Sequence, residues 1–310
     1  MIRLAFFITL IVTNVLAFYE TRILETGTTF QPEDNGVWTM ADFNGDGELD
    51  LIYIKTRDTP NGHVEVHVAS QASNYQTRIF EQATVFASED DGTWMVGDFT
   101  GTGRPDLIFI KTSNTGTNTV EVHVASASSN YQSIVYSGKS AFGPENNGVW
   151  TMADATGNNK LDLVYIKTGS TGTGTIEVHI ASATSNYLTR IVETGTVFGE
   201  SLAPYCTWLI HQFTTPINRD LGCIQIANTP QNRVQVRIAA PNYQRFSFQS
   251  PTTFSDEDNG TWLLADFSHN AHPDLIYIKT RNTGTRTVEV HVSPYCDTTR
   301  PCPPPVQSKI

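Results

Sequence analysis

From residue 18 onward the chain alternates short strand-like phrases with polar turns. GVWTMADF, DLIYIKT, VEVHVAS and NYQTRIFE make up one unit, and GTWMVGDF, DLIFIKT, VEVHVAS and NYQSIVYS make up the next. Each phrase alternates in side-chain type or is rich in β-branched residues, which is what a strand packed against neighbours needs. Clusters of Gly, Asn, Asp and Thr, such as TRDTPNG and TSNTGTN, separate the phrases as turns. No stretch has the period of a helix.

The units recur with a fixed spacing. Tyr19, Tyr75, Tyr131, Tyr187 and Tyr243 are each 56 residues apart, and Trp38, Trp94, Trp150, Trp208 and Trp262 follow with steps of 56, 56, 58 and 54. Five units of four strands predict an all-β, five-bladed β-propeller. The fifth unit stops after VEVHVS and lacks its Tyr-bearing strand, while residues 18–30, FYETRILETGTTF, are an orphan copy of that strand. The N-terminal strand should therefore complete the last blade and remove the free edges. This makes residues 18–293 one domain, followed by a Pro-rich tail over 294–310.

Composition narrows the setting. The 310 residues are 39% hydrophobic and only 16% charged, which excludes a disordered chain. The formal charge of −11 excludes nucleic acid and anionic membrane surfaces as partners. Residues 1–17, MIRLAFFITLIVTNVLA, carry one basic residue ahead of a short apolar run and read as a signal peptide. The mature protein is then expected to be secreted or lumenal. Cys206, Cys223, Cys296 and Cys302 suit an oxidising compartment. Four cysteines allow three pairings; Cys206 with Cys223, on neighbouring strands of one unit, is the first choice, leaving Cys296 with Cys302. Asn259-Gly260-Thr261 is a glycosylation sequon expected at the surface.

Several polar residues repeat. Glu65 and His67, Glu121 and His123, Glu177 and His179, and Glu289 and His291 share one strand face, with Lys55, Lys111, Lys167 and Lys279 on the strand before. They read either as a hydrogen-bonded network between blades or as a four-fold binding site. The tryptophans likewise read as blade packing, or as channel-lining residues that stack on a ligand. In the first unit Asp42, Asn44, Asp46 and Asp50 set oxygen donors two or four residues apart around glycines, a spacing that suits a structural Ca²⁺. Units two, three and five keep the flanking aspartates and lose the rest, and unit four keeps only Asp220, with Gln212 at the first position. No other cofactor is required.

The DFNGDGELDLIYI phrase and its degenerate copies resemble the FG-GAP/VCBS-type repeats of secreted propellers, over essentially all of residues 18–293. That resemblance implies a fold shared by lectins, adhesion modules and accessory modules of cell-wall hydrolases. A fainter one is to the small exported fungal propellers that act as hetero-Diels–Alderases in tropolone–sesquiterpenoid pathways; no catalytic motif carries over residue by residue.

The fourth unit departs from the others. It has His211 where the rest have Ala41, Gly97, Ala153 and Ala265, Gln212 where they have an aspartate, and Gln225, Gln235 and Arg237 in place of the Lys, Glu and His. Repeated glycan sites gain avidity by staying alike, whereas an enzyme needs one site, so a single divergent unit reads either as one specialised site or as plain drift in a blade whose disulfide compensates. No hydrolase, metalloprotease or nucleotide motif is present. Pericyclic chemistry needs little covalent machinery, because holding two reactants together supplies about 7–11 kcal/mol. The reading is one small-molecule pocket with His211 and Arg237 as catalytic groups and Gln212, Trp208, Trp38, Trp94, Trp150 and Trp262 as substrate-binding candidates. By the fainter resemblance, its polyketide and terpene substrates would be a tropolone quinone methide and a humulene-type terpene. The alternatives are a carbohydrate-binding lectin and a purely structural adhesion module.

Overall fold

The computed structural model describes residues 18–213 and 219–296. Blade 1 is formed by β2 (Gly36–Ala41), β3 (Asp50–Lys55), β4 (His63–Ala69) and β5 (Arg78–Ala87), and blade 2 by β6 (Gly92–Gly97), β7 (Asp106–Lys111), β8 (Glu121–Ala125) and β9 (Ile134–Lys139). Blade 3 contains β10 (Gly148–Ala153), β11 (Asp162–Lys167), β12 (Thr175–Ala181) and β13 (Arg190–Gly199); blade 4 contains β14 (Cys206–His211), β15 (Asp220–Gln225), β16 (Arg233–Ala239) and β17 (Phe246–Ser255). In blade 5, β18 (Gly260–Ala265), β19 (Asp274–Lys279) and β20 (Glu289–Ser293) are joined by β1 (Leu24–Gly27), which pairs antiparallel with β20. The expected five-bladed propeller and its closure by the N-terminal strand are both present.

The first strands of successive blades touch in cyclic order, β2 to β6, β10, β14, β18 and back to β2, which closes the ring around the axis. Strand alternation gives every blade two unlike faces. One carries the Trp of the first strand and the Leu and aromatic residues of the second; the other carries the Ile and Val side chains. Each core packs the aliphatic face of one blade against the Trp face of the next, as where Ile52, Ile54 and Val64 of blade 1 meet Trp94, Leu107 and Phe109 of blade 2.

The period-56 tyrosines join the blades. All five have a left-handed backbone, with φ between 54° and 64°, a conformation that costs a non-glycine residue about 1 kcal/mol or more. Burial of the ring helps offset that cost, and so does a hydrogen bond at each junction. The carbonyls of Tyr75, Tyr131, Tyr187, Tyr243 and Tyr19 accept the backbone N–H of Thr29, Val85, Ala141, Val197 and Thr253 of the preceding blade at 2.8–2.9 Å.

Two details differ from expectation. Short 3₁₀ turns precede the outer strands of blades 1–3, and a longer one, Glu200–Tyr205, leads into blade 4. The fold also continues past 293: Tyr295 N–H donates to Asp274 Oδ1 at 2.9 Å, the bond that Ala127 makes to Asp106 in blade 2. The expected signal peptide, residues 1–17, lies outside the described residues. Among those described, no helix is long and apolar enough to cross a membrane.

Candidate functional site at the channel mouth of blade 4

The repeated polar residues find partners within their own blades. Lys55, Lys167 and Lys279 pair with Glu33, Glu145 and Glu257 of the loop before the first strand, at 2.7, 2.8 and 3.2 Å. His67, His123, His179 and His291 meet the glutamate two residues earlier at 3.1–3.2 Å. The network therefore braces individual blades rather than bridging them.

The expectation that the tryptophans contact a ligand does not hold. Trp38, Trp94, Trp150, Trp208 and Trp262 are only 2–5% exposed. Four of them stack on Tyr53, Phe109, Tyr165 and Tyr277 with centroids 3.9–4.2 Å apart. Those same four donate their indole N–H to a loop carbonyl, as Trp38 does to Glu33 O at 3.2 Å. They are packing residues.

Blade 4 replaces this stack with a disulfide. Cys223 stands opposite Trp208 where the other blades have Tyr or Phe, and it bonds to Cys206 with an S–S distance of 1.99 Å. Cys206 occupies the glycine position of the other blades. At Gly36 an added Cβ would lie 2.2 Å from the Ile54 carbonyl oxygen and 2.8 Å from the Tyr53 ring. Losing the aromatic ring in blade 4 removes the second of these contacts. The Trp208 indole N–H and Gln225 Oε1 are left buried without hydrogen-bond partners. Cys296 is also disulfide-bonded, and its expected partner Cys302 lies outside the described residues.

The loop between the first two strands of blade 1 is a turn held by its own side chains. Asp42 accepts the N–H groups of Gly45 and Gly47 at 2.7 and 2.9 Å, Asn44 that of Asp46 at 2.9 Å, and Asp46 that of Glu48 at 2.9 Å. Asp50 is fully buried and accepts the Gln71 N–H at 3.0 Å through Oδ1, while Oδ2 has no partner. In blades 2 and 3 a threonine hydroxyl, Thr100 or Thr156, fills that role for Asp106 or Asp162. Burial raises the Asp50 pKa, and the charges of Asp46 and Asp42 add to the rise. An orphaned, buried carboxylate oxygen repelled by two others is a donor set that fits Ca²⁺. It is not a finished ligand array, since among the described residues no three His, Cys, Asp or Glu groups are arranged to hold a metal.

Asn259, the expected glycan acceptor, is only half exposed. Its Nδ2 donates to Glu257 Oε2 at 3.2 Å and its Oδ1 accepts from Asn282 at 2.9 Å.

The divergent residues of blade 4 do not form one cluster. Arg237 lies in the row Trp208–Cys223–Arg237–Gln249, on the face toward blade 3, and is bound to Gln235 Oε1 at 3.2 Å. Burial lowers its pKa. His211 is on the opposite face, three residues further along β14 and paired with Asp220. Three steps along a strand and two strands across put them roughly 14 Å apart, so they cannot act on one bond.

His211 has a different companion. A recess of about 230 Å³ at the end of the inner strands is lined by His211, Gln212, Ile210, Ala153 and Arg219. Arg219 is buried and pairs with Asp154 of blade 3 at 3.2 Å. It was not among the expected site residues, though a sequence signal for it exists: the residue before the repeated aspartate is Leu49, Pro105, Leu161 and Pro273 in the other units. His211 Nδ1 is 3.1 Å from the Gln212 carbonyl, and the imidazole contacts the Phe213 ring. Since a carbonyl only accepts, Nδ1 carries the proton and Nε2 keeps its lone pair. Burial lowers the His211 pKa against the pull of the Gln212 carbonyl; the charge of Arg219 lowers it further, and Asp266 and Asp220 oppose. The mouth thus holds a neutral base beside a fixed cation.

No protein-family model and no curated protein matches the chain in sequence, so the FG-GAP/VCBS likeness rests on the repeat phrase. The fold does match solved structures. The catalytic domain of a Coprinopsis cinerea GH62 α-L-arabinofuranosidase aligns with a TM-score of 0.54 at 9% identity, over 93% of this chain and 99% of that one. An exo-β-1,3-galactanase from Phanerochaete chrysosporium, solved with β-1,3-galactotriose, aligns with a TM-score of 0.49 at 12% identity, over 92% and 67%.

Proposed function

We propose that this protein is an exported propeller enzyme with a single small-molecule site at the channel mouth of blade 4. One observation carries this: the five-fold repeat is broken at the mouth by His211 and Arg219, which replace small and apolar residues and line one recess. A neutral imidazole suits removal of one proton from an enolic or phenolic hydroxyl, and a guanidinium suits polarising a carbonyl. Loss of water from a hydroxyalkyl tropolone by such a base would unmask a quinone methide. Addition of that diene to an alkene of a humulene-type terpene then needs mainly proximity. Arg237 is not part of this site. The test is turnover of such a pair by wild-type protein and by His211→Ala; an unchanged rate and product ratio in the variant would remove the catalytic assignment.

The mouth is also polar, with exposed Gln212 and the carboxylates of Asp154 and Asp266 nearby, and this favours a glycan as the second reading. Calorimetry with arabino- and galacto-oligosaccharides separates the two. Several equivalent sugar sites would support a lectin and overturn the single-site enzyme. The proposal further includes a structural Ca²⁺ held by Asp42, Asn44, Asp46 and Asp50.

A further inference from the structure

At four of the five blade junctions, bulky side chains fill the same place. One comes from the loop after the first strand and one from the outer strand of the same blade, and both pack toward the period-56 tyrosine of the next blade. Blade 1 supplies Phe43 and Phe80, 5.0 Å apart, against Tyr131. Blade 2 supplies Phe99 and Tyr136, 5.4 Å apart, against Tyr187. Blade 4 supplies Phe213 and Phe248 beside Tyr19, and blade 5 supplies Phe267 and Leu24 beside Tyr75. Strand register confirms the equivalence, since Phe80, Tyr136, Val192, Phe248 and Leu24 stand opposite Val68, Val124, Ile180, Ile238 and Val292.

Blade 3 is the exception. It has Ala155 and Val192 at these positions, and Tyr243 of blade 4 faces them. Removing two rings without a compensating shift leaves a groove of about 310 Å³, whose walls include Ala155, Ile180, Val192 and Tyr243. Arg219 lines this groove and the His211 recess alike. The junction of blades 4 and 5 has a recess of about 110 Å³ beside Phe213, Phe248 and Tyr19; the blade 3 groove is larger and has a buried cation in its wall, which makes it a candidate binding site.

We infer that this groove binds a neutral, apolar, ring-sized molecule through one carbonyl oxygen, which accepts a hydrogen bond from Arg219. The walls supply the apolar contact, and the guanidinium supplies directed donors. Charge selects the head group: Arg219 stands beside Asp154 and Asp220, so the local formal charge is negative and a carboxylate is disfavoured where a ketone is not. The inference rests on the proposed enzyme only for what happens to the ligand, not for its binding.

The probes are three molecules of one shape: 2-acetylnaphthalene, 2-naphthoate and 2-isopropylnaphthalene. By calorimetry the ketone should bind the wild-type protein 1:1, at least tenfold tighter than the carboxylate. Arg219→Leu, which installs the residue found at 49 and 161, should erase the ketone's advantage over the hydrocarbon. Ala155→Phe with Val192→Tyr, which copies the filled junction of blade 2, should abolish binding of all three. Methyl NMR on wild-type protein needs no variant and should place the perturbed signals at Ile180 and Val192. No saturable ketone binding, tighter binding of the carboxylate, or unchanged binding in the filled variant would each overturn the inference. Normal turnover by His211→Ala with ketone binding intact would instead remove only the catalytic reading.

Discussion

Arg219 of blade 4 reaches across the junction to Asp154 of blade 3, with Nη2 and Oδ2 separated by 3.2 Å and both side chains largely buried. Asp154 also accepts the N–H groups of Gly157, Asn158 and Asn159 at 2.7–3.0 Å, so it anchors its own loop as well as the neighbouring blade. Removing one partner of a buried ion pair strands the other and costs about 3–5 kcal/mol. Asp154→Ala should therefore lower the unfolding free energy by about that much in urea titrations. Arg219→Leu should cost less, because leucine already serves this position in blades 1 and 3.

His211 should titrate below the ordinary histidine value of about 6.5, since burial and Arg219 disfavour the imidazolium. A histidine whose folded pKa is depressed contributes stability above its unfolded pKa and loses it as pH falls through the folded one. Carbon-detected NMR of labelled histidine should show this midpoint, assigned by the signal missing from His211→Ala. A midpoint at or above 6.5 would contradict a neutral base at the mouth.

Asp274 behaves in the opposite sense. Burial raises its pKa to about 6, although hydrogen bonds from Tyr295 and Ser268 pull it down. Its stabilising contribution is present below the unfolded value of about 3.9 and is lost as pH rises through about 6. At roughly 1.4 kcal/mol per unit the loss is on the order of 3 kcal/mol. Subtracting the pH profile of Asp274→Ser from that of the wild type should reveal this downward slope between pH 4 and pH 6.

The disulfide of blade 4 and the Gly–aromatic pair of the other blades are two solutions for one place. Gly36→Ala should destabilise by about 2 kcal/mol or more, because the new Cβ meets a carbonyl oxygen and a stacked ring. Cys206→Ala with Cys223→Ala loses a crosslink worth about 3 kcal/mol for a loop of this length. Cys206→Gly with Cys223→Tyr should recover part of that loss, as read by thermal melts.

Calcium in the millimolar range should raise the melting temperature of the wild-type protein, and Asp50→Asn should reduce the gain, because Asp50 Oδ2 is the buried donor without a partner. Equal melting temperatures with calcium and with chelator would leave the loop as a hydrogen-bonded turn.

The repeat is legible in the sequence because strand alternation and turn chemistry are local properties that a 56-residue period copies five times. Blade number and ring closure by residues 18–30 follow from it, while it made Cys206–Cys223 only the first choice among three pairings, and the structure shows that bond. His211 was legible as the one break in a column of small residues. The tertiary structure decided which breaks act together. Arg237 differs from its counterparts as clearly as His211 does, but alternation puts them on opposite faces of β14–β17, and only pairing shows this. Arg219 and Asp154 lie 65 residues apart, on different blades. The groove arises from residues that are absent: Ala155 and Val192 are unremarkable in a strand-rich sequence, and become a cavity only where packing leaves nothing else to fill the place of two rings.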